Sequence, residues 1–439
     1  KGLKMREAQR PPPSRPVTPL KVLVCGASGF LGRAICTRLS RAGHQVIRGV
    51  RQARRPDDMA IDFRTDTTVD HWRGRLDGIQ VVVNAVGIIA ETRDSPFDAL
   101  HHRGPAALFA ACVEAGVARI IQISALGADT GTSAYFRSKH AADQALMRLP
   151  VAWQILRPSL VHGSDGASAT LLRQLASLPL LPVPALGSAR FQPVQVDDVA
   201  EAVLRAMDPH QPAGQQIDVV GATRVSFGRM LAHYRHGMGL APTRPLPVPA
   251  PVMALAARLG GAIPGVPLNP DTWRMLQAGN TGDPTALTRL LGRPPRGIAG
   301  FIPPAQAETL RGRALAAWRT PLLRYTLAFV WLATAWVSLA VHPRDASLAL
   351  LAGVGLEGAG AVGALYTAVV LDLVMGLACL FRPSRRLWCL QAALVLGYTA
   401  IIALALPAFL SHPFGPVLKN LPILAILLIL MSEPQPWTT

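Results

Sequence analysis

Residues 21–35 read KVLVCGASGFLGRAI, a β-branched and apolar run that enters a turn punctuated by Gly26, Gly29 and Gly32 and leaves it in a helical pattern. In a strand–turn–helix that holds a dinucleotide, each glycine has a separate task. The first permits the tight turn, the second lets backbone N–H groups approach a pyrophosphate, and the third lets helix and strand pack closely, while the helix N-terminus favours the anion. Glycine spacing alone is a weak signal, and its position at the head of a longer alternation makes it specific. Short apolar runs at HQVIRGVR, IQVVVNAVG, ARIIQISALG, VAWQILRPSLV and QQIDVV are separated by longer helical stretches up to about residue 220. That alternation predicts βαβ units and a doubly wound α/β fold whose parallel sheet is buried on both faces, over 21–240.

The second strand bears on the cofactor. An NAD site places an acidic residue near the end of that strand to bind the ribose hydroxyls, whereas this stretch reads VIRGVRQARR. A guanidinium there pairs with a 2′-phosphate, so NADP(H) is expected over NAD(H), with Arg51 as the partner and Arg54 and Arg55 as solvated surface charges.

Further on, ISALGADTGTSAYFRSKHAADQAL places Ser124 at a strand end and Tyr135 four residues before Lys139. Positions i and i+4 share a helix face, so the Lys139 ammonium is expected beside the Tyr135 phenol, lowering its pKa from about 10 for acid–base work on a carbonyl or hydroxyl. Ser124 is expected to hydrogen-bond the same substrate oxygen. His101 and His102 have no carboxylate or cysteine at ligand spacing; they read as exposed histidines near a helix start, and no metal site is expected.

The chain has 439 residues, half of them hydrophobic and 16% charged, which argues against a uniformly soluble protein. Its net charge of +18 comes mostly from scattered arginines, without basic blocks or interleaved aromatics, and this argues against nucleic-acid binding. The five cysteines show neither a disulfide framework nor zinc spacing, which suits a reducing compartment. Residues 1–20 are basic and Pro-rich without the apolar core of a signal peptide, so a disordered tail and a cytoplasmic N-terminal domain are expected. Pro and Gly recur over 241–318, read as a small irregular cap and connector in which Trp273 to Met275 belong to the core. From 319 to 431 four apolar stretches follow, near 320–341, 361–381, 387–410 and 414–431, then a short tail at 432–439. About 20 apolar residues cross a bilayer as a helix, so four spans are expected, the fourth of marginal length. The basic loop RPSRR between the second and third spans places the N-terminal domain and the C-terminus in the cytoplasm. Asp372 and Lys419 interrupt this apolar texture and are expected either to meet within the bundle or to leave Lys419 at the interface.

The set GASGFLG, NAVG (84–87), Ser124, YFRSK, RPS (157–159) and QPVQVDDVAEAV (192–203) resembles the atypical and extended short-chain dehydrogenase/reductases. Its nearest likeness is the branch containing the nucleotide-binding accessory subunit of respiratory complex I, and it extends over about 21–300. The resemblance implies a Rossmann fold that binds its cofactor through Gly26, Ser28, Gly29, Phe30, Leu31 and Gly32, with Asp62 near the adenine. Ala85, Val86 and Gly87 would lie along the cofactor, and Pro158 and Ser159 by the nicotinamide. In catalytic relatives Tyr135 is the acid/base, Lys139 contacts the ribose and Ser124 orients substrate; some members bind NADPH without evident turnover. Residues 320–431 resemble the DoxX-like membrane domain, notably in VVLDLVMGLACL. Together these imply an oxidoreductase anchored in a bacterial-type inner membrane, acting on a small or lipid-like carbonyl or alcohol. The alternatives are a non-catalytic NADPH-binding assembly factor or redox-sensing subunit of a membrane complex, and a nucleotide-sugar epimerase or dehydratase.

Overall fold

The computed structural model describes residues 18–433 apart from 90, 93, 264, 265, 267 and 412–416. Most of the 1–20 tail and all but two residues of the 432–439 tail lie outside the described residues. The chain divides into two compact units, Lys1–Arg311 and Gly312–Thr439.

The strands of the first unit are β1 (Lys21–Cys25), β2 (Gln45–Val50), β3 (Asp58–Ala60), β4 (Val81–Asn84), β5 (Arg119–Ile123), β6 (Ala152–Pro158), β7 (Val161–His162), β8 (Leu181–Pro184), β9 (Val194–Gln195), β10 (Gln215–Val219) and β11 (Pro245–Val248). Its helices are α1 (Phe30–Arg41), α2 (Gly104–Glu114), α3 (Ala134–Met147), α4 (Ala167–Ser177), α5 (Val196–Ala206), α6 (Phe227–Gly237), α7 (Ala250–Gly261), α8 (Pro270–Ala278) and α9 (Thr285–Leu291). Seven strands form one parallel sheet in the order β10-β6-β5-β4-β1-β2-β3, the doubly wound arrangement expected from the alternation. Chain order reverses between β1 and β4, and the crevice at their C-terminal ends is where such sheets bind ligands. β1 explains its own sequence: Val22 and Val24 pack with Ile35, Leu39, Val199 and Val203, whereas Leu23 and Cys25 pack with Trp72, Leu108 and Phe109. A strand covered on both faces reads as an unbroken apolar run.

The second unit comprises most of α10 (Pro304–Trp336), with α11 (Arg344–Gly353), α12 (Gly358–Phe381), α13 (Arg385–Ala405) and α14 (Asn420–Ser432). Among the described residues three helices are long and apolar enough to cross a membrane: α10 with its π-helical extension to Val341, α12 and α13. The apolar α14 has 13 residues, about 20 Å of helix, and so is shorter than the fourth span expected from sequence. The core of this unit joins Leu327 and Trp331 to Met375, Cys379, Trp388, Val395 and Leu427. Its outer surface is also apolar, with Phe329, Phe381 and Leu404 exposed, as suits helices solvated by lipid. The Arg324 guanidinium reaches the last turn of α12, donating from Nε to the Cys379 carbonyl at 2.5 Å and from Nη2 to that of Leu380.

Asp372 is buried, and its Oδ1 has no hydrogen-bond partner among the described residues. It does not meet Lys419, which is exposed just before α14. Asn420, beside Lys419, donates to Thr399 Oγ1 at 2.8 Å, and a contact between Asp372 and Lys419 is not formed. The first turn of α14 faces one end of α13 rather than the middle of α12, and this keeps the groups apart.

Candidate active site

The turn after β1 is built for a close approach. Gly26 has φ +79°, and a Cβ on it would lie 3.0 Å from the Ala85 carbonyl oxygen. At Gly32 a Cβ would lie 2.0 Å from the Gly26 carbonyl oxygen, so any side chain there would force α1 away from the strand. The Gly26 and Ala27 N–H groups donate to the Gly49 carbonyl at 3.0 and 3.1 Å, tying the turn to the end of β2. No side chain caps α1 and its first turn holds no acidic residue. The positive end of the helix is therefore left for an external anion, and the residues present fit a dinucleotide pyrophosphate. Ser28, Gly29, Phe30, Leu31 and Gly32 make up this uncapped turn. The Ser28 carbonyl accepts from Arg33 Nη1 at 2.7 Å, and the Phe30 ring packs against Gly163 and Gly166.

Beyond β2 the charges sort themselves. Arg48 pairs with Asp58 at 3.4 Å, and the Arg54 and Arg55 N–H groups donate to the same carboxylate. Arg51 is exposed and forms no ion pair among the described residues. Asp62 is clamped by Arg64, whose Nε lies 2.9 Å from both carboxylate oxygens. These hydrogen bonds, with a smaller contribution from the nearby Arg51 charge, hold the Asp62 carboxyl below its usual range.

At the end of β4, Asn84 Nδ2 donates to Gln122 Oε1 and its Oδ1 accepts from the Val86 N–H at 3.2 Å, which fixes the path of Ala85, Val86 and Gly87. Lys139 lies beneath them. Its Nζ donates to the carbonyls of Val86 and Ile123 at 3.1 and 3.3 Å, and a Cβ on Gly87 would sit 3.1 Å from that nitrogen. Burial lowers the Lys139 pKa to about 8, partly offset by Asp143.

Tyr135 departs from the sequence expectation. It is packed edge-on to Phe97, His101 and Phe136, with ring centroids 5.9, 5.6 and 5.4 Å away. Burial pushes its phenol up to about 12 rather than down, and the Lys139 ammonium is directed at backbone carbonyls. Ser124 also differs from its expected role of orienting substrate: its hydroxyl donates to Asp143 Oδ2 at 2.5 Å, since a buried hydroxyl takes the acceptor on the inner face of α3.

His101, expected to be exposed, is buried. The Ile88 N–H donates to its Nε2 at 3.0 Å, so Nδ1 carries the proton and donates to Ser138 Oγ, which in turn donates to the Tyr135 carbonyl. Burial, aided by the Lys139 charge, lowers its pKa to about 3, so the ring is neutral. Sequence reasoning also missed Asp143, although its place one turn beyond Lys139 on the same helix face was a usable signal.

A cleft adjoins this centre, lined by Leu126 to Ser133, Phe136, Arg157, Asp218 and residues 274–281. Arg157 Nη1 pairs with Asp129 Oδ2 at 2.9 Å across its floor. Pro158 accepts at its carbonyl from the Leu126 N–H, and the Ser159 hydroxyl donates to the Gln192 carbonyl at 2.6 Å. The structure thus gathers the glycine turn, Ala85 to Gly87 and Lys139 along the sheet's C-terminal edge, with Tyr135 joined to them through His101. Ser124 faces inward, and Asp62 is tied to Arg64. No cluster of metal-ligating side chains occurs among the described residues.

Residues 26–209 match the NAD(P)H-binding family and residues 328–428 the DoxX-like family. The mouse mitochondrial NADH dehydrogenase [ubiquinone] 1 alpha subcomplex subunit 9 is 30% identical over 257 residues, 56% of this chain and 68% of that protein. The chain belongs to this family of NAD(P)-binding, short-chain dehydrogenase/reductase-like proteins. The Arabidopsis thaliana subunit of the same name is 30% identical over 207 residues, 44% of this chain, and the chain spans only 51% of that protein's length. An NADPH-dependent quinone oxidoreductase from Escherichia coli, solved with NADPH, shares the fold of the family at a TM-score of 0.52 and 18% identity, covering 64% of this chain and 98% of its own. The DoxX-like region lies outside the first unit and accompanies the family domain in this chain.

Proposed function

We propose that the chain is a membrane-anchored, NADP(H)-dependent oxidoreductase of the short-chain type, acting on a carbonyl or alcohol of small or lipid-like substrates. The observation that carries this reading is the uncapped glycine turn set beside Lys139 and the Tyr135–His101 pair along one edge of the sheet. The glycine turn would hold the pyrophosphate, Lys139 the nicotinamide ribose and Arg51 a 2′-phosphate. The bound nicotinamide would supply the hydride. Tyr135 would supply the proton to a substrate oxygen during reduction, provided that bound cofactor and substrate lower a phenol that burial holds above its ordinary range. Asp143 and Ser124 hold α3 against the end of β5, keeping Tyr135 and Lys139 in place. The basic loop after α12 favours an inner membrane with the nucleotide-binding unit in the cytoplasm, and the C-terminus shares that side where α14 completes a fourth crossing.

A second reading, a non-catalytic NADPH-binding subunit or assembly factor of a membrane complex, is favoured by the inward turn of Ser124 and by the packing of Tyr135 among rings. Purification of the full chain in detergent, followed by release of bound nucleotide, separates the two. Recovery of NADPH that exchanges, with turnover that falls roughly 10²–10⁴-fold in Tyr135→Phe while nucleotide retention is unchanged, supports the enzyme. A nucleotide that never exchanges supports the subunit. Tighter binding of NADH than of NADPH would overturn the cofactor assignment, and Arg51→Glu should move preference in that direction.

A further inference from the structure

Helix α7, APVMALAARLGG, is amphipathic in the wrong sense for a soluble surface. Ala257 and Gly260 are its buried residues, while Val252, Leu255 and Leu259 point outward, followed by Ile263. The spacing of three and four residues puts Val252, Leu255 and Leu259 on one helix face, and Ile263 follows just beyond the helix end. Leu246 on β11, and Leu180 just before β11's partner strand β8, are also exposed. These six side chains are each 48–62% exposed. Residues 241–263 carry Arg244 and Arg258 and no acidic residue.

Exposed apolar faces of this kind mark an interaction surface. A second copy or a soluble partner could cover one, but two further observations favour lipid. The same chain carries helices able to cross a bilayer, so a membrane surface is always within tether reach, at an effective concentration no free partner matches. The charge that accompanies the apolar face is purely basic, as expected for contact with anionic headgroups. We infer that α7, with Leu180 and Leu246, is an in-plane membrane-binding surface of the nucleotide-binding unit, seated among the headgroups of an anionic bilayer. Its partner α8 packs on it with Pro270 against Gly261, while Leu268 just before α8 lies against Gly260, and α8 supplies Arg274, Met275 and Ala278 to the cleft. Seating α7 therefore brings one wall of that cleft to the lipid. This inference does not depend on turnover.

The test uses the full chain in nanodiscs of phosphatidylcholine with phosphatidylglycerol, each containing one copy. With Cys389, the exposed native cysteine, changed to serine, Leu255→Cys, Leu259→Cys and the control Arg73→Cys are labelled with an environment-sensitive fluorophore. Blue-shifted emission and quenching by acyl-chain spin labels severalfold stronger at 255 and 259 than at 73, weakening when phosphatidylglycerol is omitted, is the expected result. Quenching no stronger than at position 73 overturns the inference. A blue shift without lipid quenching also overturns it and assigns the face to a protein neighbour. Both labelled positions are exposed, so loss of folding does not obscure the outcome, and unchanged nucleotide retention checks this.

Discussion

Asp198 and Asp372 are both carboxylates withdrawn from solvent, one in each unit, and the protein treats them in opposite ways. In the nucleotide-binding unit, Asp198 accepts from Arg293 Nη2 at 2.5 Å and from the Arg296 N–H at 2.7 Å, so each oxygen is satisfied and the charge ties the 293–296 segment to α5. In the helical unit, Asp372 has no ion pair and leaves Oδ1 unpartnered among the described residues, with the buried Trp331 Nε1 and Gln391 Oε1 in the same condition. A lone buried charge costs several kcal/mol. Asp198 is buried polarity used as structure, whereas Asp372 is kept at the expense of stability.

The largest expected effect follows directly. Asp198→Ala strands a guanidinium and a backbone N–H, and should lower the stability of the first unit by roughly 3–5 kcal/mol in chemical denaturation. A loss under 1 kcal/mol would mean that the paired carboxylate is not what holds this segment.

Acid sensitivity should reside in the same unit. The folded His101 and His162 imidazoles have pKa values lowered to about 3 by burial, while an unfolded imidazole protonates near 6.5. Between these values the unfolded chain binds more protons, so stability falls as pH drops from about 6.5. Asp143, raised to about 6 by burial, acts in the opposite direction: its folded form takes up a proton first, adding stability on acidification between about 6 and 4. Two histidines outweigh one carboxyl. Denaturant midpoints of the full chain in detergent should therefore decline between pH 6.5 and 4, and His101→Gln should flatten part of that slope. An unchanged slope would show that His101 is not the group responsible.

The smallest effect belongs to Asp372. Asp372→Leu removes a partnerless buried carboxyl, so thermal stability in detergent should be unchanged or rise by about 1–2 kcal/mol. A large loss would reveal a partner for this carboxyl and erase the contrast with Asp198.

What the sequence disclosed, it disclosed through local pattern. The Gly26 to Gly32 spacing and the doubly buried runs of β1, β4 and β5 carry their fold in short-range periodicity, Lys139 is read from its place four residues after Tyr135, and Ala85 to Gly87 come from the family resemblance. The misses are long-range. Whether Ser124 faces substrate or Asp143 depends on how α3 packs, and whether Tyr135 meets Lys139 depends on which carbonyls the ammonium finds. His101 lies in a π-helical turn, Asp98–Arg103, whose extra residue shifts the helix face by one position. A 3.6-residue reading therefore cannot place His101 on the inner face.

The reach of Arg324 onto the final carbonyls of α12 has one more consequence. Because that single side chain satisfies groups which a helix end otherwise leaves open, it helps set the height of α10 against α12, together with the packing of Leu327 and Trp331 on Met375 and Cys379. The connection at residues 354–357, which leads from α11 into α12, is thereby relieved of setting register. Residues inserted there should be absorbed as slack, whereas shortening the Arg324 side chain would let the two helices slide past one another.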